Sequence, residues 1–166
     1  PAIKVVPVVR SDGSGTTAQF TAWLAAEHAS VWNEYCKRVG RASPCGFTSN
    51  YPTAAGMVAQ SGSLGVSGYV KQDQSQGAIT YVEYSYAKAA GFPAAKVLND
   101  AGFYVLPTAQ AVAVGLLGAR INPDLSQNLT GVYNNTDKRA YPLSSYSYMI
   151  IPTNNDNGFS NEKGNT

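Results

Sequence analysis

The chain has 166 residues, of which 44% are hydrophobic and only 13% are charged, and its formal net charge is +2. This length and apolar content suffice for one domain with a core, while so small a net charge gives no general attraction to nucleic acid or to acidic lipid. No apolar run is long enough to predict a membrane span. No signal peptide is visible and the chain starts at Pro1, so we expect a processed or excised piece of a longer product.

The first part of the chain has the pattern of a strand followed by a helix. The β-branched run at 3–9 predicts a buried strand of the parallel type, in which Pro7 indicates an edge position or a local irregularity. Apolar residues at spacings of three and four then predict a helix over 17–27 that continues after a break near Ser30. These apolar positions are Phe20, Trp23, Leu24, His28, Val31, Trp32 and Tyr35. His28 is therefore expected to be partly buried.

The remaining sequence alternates further strand and helix patterns with short turns, which indicates an α/β layered domain. Thr108 is the predicted N-cap of the third of these helices. The tyrosines in or beside the predicted strands are expected to be half-buried packing residues, namely Tyr81, Tyr84, Tyr86, Tyr146 and Tyr148. The predicted elements are a loop over 40–62, a helix over 66–72, a strand over 77–84, a helical turn over 85–91, a hairpin of 96–98 with 103–105, a helix over 109–119, a turn-rich segment over 122–140 and a strand over 146–151.

The two cysteines, Cys36 and Cys45, lie in a polar segment that is rich in lysine and arginine and contains Pro44. Neither looks like a core residue, and no metal-ligand spacing surrounds them. A local disulfide is favoured over two free thiols, and it would suit an exported protein.

The junction between the first strand and the first helix carries the strongest functional signal. Arg10 ends the strand, and the loop Asp12-Gly13-Ser14-Gly15-Thr16-Thr17 leads into the helix. The first N–H groups of a helix have no partner within the helix, and the helix dipole places positive charge at the same end. With an arginine and small hydroxyl residues added, the junction predicts a site for a tetrahedral oxyanion.

Other readings of the loop fit less well. Ser14 is not in the G-x-S-x-G context of a hydrolase nucleophile, because Asp12 stands two residues before it. The loop also lacks the lysine that a phosphate-binding loop of nucleotide hydrolases needs after its glycine. No general base or metal cluster accompanies it, so we expect neither an enzyme nor a cofactor.

Three segments resemble, in the same order, the phosphate-binding proteins of bacterial phosphate ABC transporters (the PstS family). The first is residues 10–16, the second is 76–87, and the third is 141–143 with the predicted strand behind it. The resemblance covers residues 1–152 and implies a single three-layer α/β lobe of the type II periplasmic-binding-protein-like fold. The polar tail over 153–166 is expected to be disordered.

The resemblance also implies roles for individual residues. Arg10, Ser14, Gly15 and Thr16 match phosphate contacts, and Asp12 matches the carboxylate that orients the arginine. Gly13 and Thr17 complete the loop as supporting residues. An arginine offers a planar fork to two phosphate oxygens, and glycines allow close approach to the loop amides.

In that family a second lobe completes the site, and the segments that build it have no counterpart in this sequence. We therefore expect a half-site that binds phosphate weakly alone and strongly with a complementary lobe. The implied partners are that lobe and an ABC transporter permease, and the implied location is extracytoplasmic, whether periplasmic, cell-surface or secreted. The alternative is an extracellular interaction domain that reuses the lobe without phosphate import.

Overall fold

The computed structural model describes residues 2–151. A three-stranded parallel sheet has the strand order β2-β1-β3, so the first strand of the chain lies in the middle. Val8 in β1 pairs with Val58 on one side and with Thr80 on the other. The strands are β1 (Val6–Arg10), β2 (Val58–Gln60) and β3 (Ala78–Thr80).

Six α-helices, a short 3₁₀ helix over Asp73–Ser75 and two short antiparallel hairpins complete the part of the chain that is described. The predicted hairpin and the Thr108 cap are both confirmed, the latter by a 3.2 Å bond from the Ala111 N–H to the threonine hydroxyl. The helices are α1 (Gly15–Glu27), α2 (Ala29–Arg38), α3 (Gly62–Val70), α4 (Tyr84–Ala90), α5 (Ala109–Leu116) and α6 (Thr130–Tyr133). The hairpins pair β4 (Val97–Leu98) with β5 (Tyr104–Val105) and β6 (Arg120–Ile121) with β7 (Gln127–Asn128).

The sheet is buried on both faces. Val8 packs against Val66 and Val70 of α3 on one face of the sheet. Because side chains alternate along a strand, Val9 points to the opposite face, where it is 3% exposed. An α/β lobe is therefore confirmed, and the burial of both faces is what a three-layer lobe requires. The predicted tail over 153–166 lies outside the described residues.

Pro7 does not lie in an edge strand, so that part of the prediction is wrong. The N–H of Val6 donates to the Gly77 carbonyl on the β3 side, so the nitrogen of Pro7 faces the other side. On that side β2 pairs with β1 only from Val8 onward. A proline is tolerated here because no strand lies opposite its nitrogen, so the missing N–H removes no hydrogen bond from the sheet.

The helical segment breaks at His28, two residues before the predicted position. His28 ends α1 and caps α2, and its side chain is exposed rather than partly buried. Its ring meets the edge of Trp23, which packs in turn against Val132 and Tyr133 of α6. The apolar face of α1 is thus covered by the C-terminal part of the described chain.

The predicted disulfide between Cys36 and Cys45 is confirmed, with a Cα–Cα distance of 6.1 Å. The expectation that neither cysteine belongs to the core is wrong, because they are 0% and 8% exposed beside Trp32. The charged side chains near them in sequence point outward from a helix, so the polarity of this segment did not indicate that the cysteines are buried.

Several predicted element boundaries are also wrong. The segment 40–62 contains β2, and the strand predicted over 77–84 ends at Thr80 because α4 begins at Tyr84. The helix predicted over 66–72 is shifted to Gly62–Val70, and the helix predicted over 109–119 ends at Leu116. The turn-rich segment 122–140 contains β7 and α6.

No strand forms over 146–151. The backbone of Tyr146 is engaged by a side chain instead, since the Gln127 amide donates to its carbonyl at 2.7 Å and accepts from its N–H at 2.9 Å. Met149 and Ile150 are 89% and 93% exposed. Among residues 2–151, no helix is both long and apolar enough to cross a membrane.

We predict that Gly118→Ala destabilises the fold. A Cβ at Gly118 would lie 2.0 Å from the carbonyl oxygen of Gly131, a backbone atom that cannot move aside without shifting α6. Overpacking of this kind costs about 1–3 kcal/mol, which urea unfolding would measure. The matched control is Gly68→Ala in α3, where an added Cβ meets nothing within 4 Å and the free energy of unfolding should stay constant or rise. Equal effects of the two substitutions would contradict this packing.

Candidate anion-binding site

The carboxyl ends of the three parallel strands bring together segments that are far apart in the chain. Arg10 is the last residue of β1, Gly62 and Ser63 follow β2, and Tyr81 follows β3. In open α/β sheets, ligands bind at this edge of the sheet. The site is therefore a product of the sheet order as well as of the loop after β1.

One edge of the Arg10 guanidinium is held by Asp12. Arg10 Nε donates to Asp12 Oδ1 at 2.7 Å, and Nη2 donates to Oδ2. Nη1 makes a longer contact of 3.4 Å with Ser63 Oγ. A guanidinium has five N–H donors, so the edge formed by Nη1 and Nη2 keeps donors beyond those that Asp12 uses.

Asp12 also joins the loop after β1 to the loop after β2. Its Oδ1 accepts a 3.0 Å bond from the N–H of Gly62, the first residue of α3. The hydrogen bond from Arg10 and then that from Gly62 hold the pKa of Asp12 well below its usual range. The same contact raises the pKa of Arg10, whose side chain is 11% exposed. The pair therefore stays ionised at neutral pH.

Ser14 begins α1 as its N-cap. It is extended, and its Oγ accepts a 3.2 Å bond from the N–H of Thr17, while its own N–H donates to the Ser49 carbonyl at 2.9 Å. A hydroxyl that accepts a bond still has a proton to donate. The Gly15 and Thr16 N–H groups have no hydrogen-bond partner within residues 2–151.

The surface above the loop is open. A Cβ on Gly15 would meet nothing within 4 Å, and one on Gly13 would make an ordinary 3.6 Å contact with Asn50. Gly15 is exposed and Thr16 is half-buried, whereas the supporting residue Thr17 is fully buried. The space beside the Cα of Gly15 is thus free of other residues.

Tyr81 connects the end of β3 to the start of α1, and the sequence did not reveal this. Its hydroxyl shares a 2.7 Å hydrogen bond with Thr17 Oγ1, and its ring stacks on Phe20 at 4.6 Å. Burial raises the pKa of Tyr81, while its hydrogen bond to Thr17 acts in the opposite direction. The expected half-burial is correct for Tyr81, which lies just beyond β3, and for Tyr86. It is wrong for Tyr84, Tyr146 and Tyr148, which are 46%, 42% and 48% exposed.

The predicted residues therefore form two neighbouring groups. Arg10 and Asp12 lie with Gly62 and Ser63 at the strand ends, whereas Ser14 to Thr17 form the cap and the first turn of α1. Gly13 joins the two groups in the chain. Tyr81 contacts the second group through its hydrogen bond to Thr17. No group of three or more metal-ligating side chains occurs in the described residues.

The chain matches a family model described as the PBP superfamily domain over residues 1–164. It belongs to this superfamily. It is similar to the phosphate-binding protein PstS of Methanocaldococcus jannaschii, with 34% identity over 98% of this chain and 41% of the relative. It is also similar to the phosphate-binding protein PstS of Xylella fastidiosa strain Temecula1, with 32% identity over 92% of this chain and 38% of the relative. For the phosphate-binding protein PstS of Haemophilus influenzae, the identity is 28% over 95% of this chain and 43% of the relative.

The chain thus spans about two fifths of the length of these relatives. The resemblance drawn from the three sequence segments is confirmed by these matches. The superfamily match, together with the parallel sheet, also agrees with the α/β lobe.

We predict that Asp12→Asn weakens the acid dependence of stability. The pKa of Asp12 is lowered in the folded chain, so the unfolded chain binds more protons below about pH 5. The stabilisation from the ionised carboxylate is complete above that pH and is lost as the pH falls toward the lowered pKa. Asparagine cannot titrate, so the urea midpoint should fall less between pH 7 and pH 3 than in the parent.

The control for this prediction is Glu34→Gln. It removes the exposed pair of Glu34 with Arg38, whose side chains are 67% and 72% exposed, so it should keep the parental acid dependence. An Asp12→Asn variant with the same fall in midpoint as the parent would contradict the bridging role of this carboxylate.

Proposed function

We propose that this chain binds inorganic phosphate through Arg10, Ser14, Gly15 and Thr16, as one lobe of a receptor for ABC-type phosphate uptake. The observation that carries the proposal is that the carboxylate of Asp12 engages only some of the N–H donors of the guanidinium. Asp12 binds the Nε edge of Arg10, so the edge formed by Nη1 and Nη2 keeps N–H donors. The loop that follows Asp12 leads into the start of α1, where the Gly15 and Thr16 amides have no partner among residues 2–151. The relatives named above are phosphate-binding proteins.

The chemistry of the residues suits a tetrahedral anion. Arg10 supplies a positive charge and directed N–H donors, which form stronger hydrogen bonds to an anion than neutral donors do. The Ser14 and Thr16 hydroxyls and the Gly15 and Thr16 amides add donors at the positive end of the α1 dipole. Asp12 fixes the arginine and offsets its charge when no ligand is bound. The proposed function is binding without chemical conversion.

The site is proposed to be half of a complete phosphate site. Relatives more than twice as long leave room for a second lobe that contributes further donors. If three charge-assisted hydrogen bonds come from that lobe, at about 1.5–3 kcal/mol each, the affinity of this chain falls by roughly three or more decades. We therefore expect a dissociation constant for phosphate above about 1 µM.

The setting of the proposed receptor is extracytoplasmic. The buried Cys36–Cys45 disulfide fits an oxidising compartment. The proposed partners are phosphate, the complementary lobe and the permease of an ABC transporter. No nucleic acid or cofactor is part of the proposal.

We predict that Arg10→Ala weakens phosphate binding by about 100-fold, as expected from the loss of two charge-assisted hydrogen bonds. Isothermal titration of the 166-residue chain measures the affinity, and a thermal shift with and without phosphate checks it. Arg10→Lys keeps the positive charge but loses the planar fork, so it should fall between the parent and the alanine variant. It also replaces the alanine variant if that variant does not fold.

The matched control is Arg139→Ala. Arg139 forms the same kind of paired contact with Asp137, two residues away in sequence, but its side chain is 68% exposed and lies in a different loop. Phosphate binding should be unchanged in this variant. Equal binding by Arg10→Ala and the parent would contradict the proposal and favour the interaction domain without phosphate import. A parent affinity tighter than 1 µM would contradict the half-site.

A further inference from the structure

The segment 45–52, which we call the brace, lies against the start of α1. The contact that matters most is the 2.9 Å hydrogen bond from the N–H of Ser14 to the carbonyl of Ser49. It fixes the peptide group that precedes the N-cap. Because a backbone has only two soft torsions per residue, this bond helps to set where the Ser14 hydroxyl and the next two amides point.

Thr21 ties the middle of the brace to α1. Its Oγ1 accepts a 2.9 Å bond from the N–H of Thr48 and lies 2.9 Å from the Thr48 carbonyl. The hydroxyl proton has further acceptors in the carbonyls of Thr17 and Ala18, at 2.9 and 3.2 Å. The N–H of Thr48 can only donate, so that bond is unambiguous. The whole Thr21 side chain is 0% exposed.

The ends of the brace are held by α2. Cys45 is bonded to Cys36, and its N–H donates to Asn33 Oδ1 at 2.7 Å. The Gly46 carbonyl accepts from Trp32 Nε1 at 2.8 Å, and the Pro52 carbonyl accepts from the Tyr35 hydroxyl. With both ends fixed on α2, Thr21 is the side chain that attaches the intervening backbone to the helix bearing the anion loop.

We propose that Thr21 is a positioning residue for phosphate binding. It holds Thr48, so that the neighbouring Ser49 carbonyl can fix Ser14 and orient the Gly15 and Thr16 amides. Thr21 does not touch the anion, since it lies on the second turn of α1 and is fully buried. This inference rests on the proposed function, and its test therefore includes a readout that does not depend on phosphate.

The test compares Thr21→Val with Thr21→Ser. Valine keeps the shape but leaves the Thr48 N–H without its acceptor, whereas serine keeps the hydroxyl. Hydrogen exchange of the Ser14 amide is measured against the Val6 amide, which donates to Gly77 across the sheet. In Thr21→Val we expect the Ser14 amide to exchange about tenfold faster relative to Val6, and phosphate to bind about tenfold more weakly, as for one lost hydrogen bond. Thr21→Ser should restore both values to within about twofold of the parent.

A variant that only lowers stability separates positioning from general damage. Val132→Ala removes buried volume from the cluster around Trp23 and does not touch the brace. It should leave both the Ser14-to-Val6 exchange ratio and the phosphate affinity at parental values. If the valine variant does not fold, Thr21→Cys replaces it, because a thiol keeps the volume and forms only weak hydrogen bonds.

Each result decides the inference. Parental exchange at Ser14 in Thr21→Val overturns it. Faster exchange at Ser14 with an unchanged phosphate affinity also overturns it, provided that Arg10→Ala weakens binding as predicted. If the parent chain itself binds no phosphate, the proposed function fails. A selective rise in Ser14 exchange would then still support the role of Thr21 in fixing the loop, and its absence would overturn that role as well.

Discussion

The Asp12 carboxylate makes the interaction on which the rest of the site depends. It binds the Arg10 guanidinium at the end of β1 and the Gly62 N–H at the start of α3, so one side chain links the ends of two parallel strands. Without this carboxylate, the positive charge of Arg10, whose side chain is only 11% exposed, would lack its counter-charge. Its bonds also determine which edge of the guanidinium remains available. The geometry of the proposed phosphate contact is thus set by a residue that does not itself contact phosphate.

A second layer of contacts organises the start of α1. The unpaired amides of Gly15 and Thr16 are useful to an anion only if the loop before them is fixed, and the Ser14–Ser49 bond and the Tyr81–Thr17 bond provide this. Both partners come from segments remote in sequence, one beside the disulfide and one after β3. The low charge content of the chain is compatible with the proposed site, which relies on directed donors held in a fixed arrangement.

The sequence predicted the parts of this arrangement that are local. The β1–α1 junction, the Thr108 cap, the β4–β5 hairpin and the disulfide each leave a signature in a few adjacent residues. The parts that it missed depend on distant partners. The short β2 strand has no alternating pattern of its own, so the position of Ser63 beyond its end was not foreseen. Tyr81 was expected inside a strand that ends at Thr80, so its position at the strand ends was not foreseen either. The apolar run near Tyr146 predicted a strand, but its backbone is bound by the Gln127 side chain.

The most direct measurement of the central claim is an amide chemical-shift titration of the chain with inorganic phosphate. The account predicts that the Gly15 and Thr16 amide resonances move together and saturate, because these N–H groups bind the anion at the start of α1. The Gly68 and Gly118 amides, which lie outside the site, should stay in place. Saturable shifts confined to residues other than the loop after β1, or no saturable shifts at all, would contradict it.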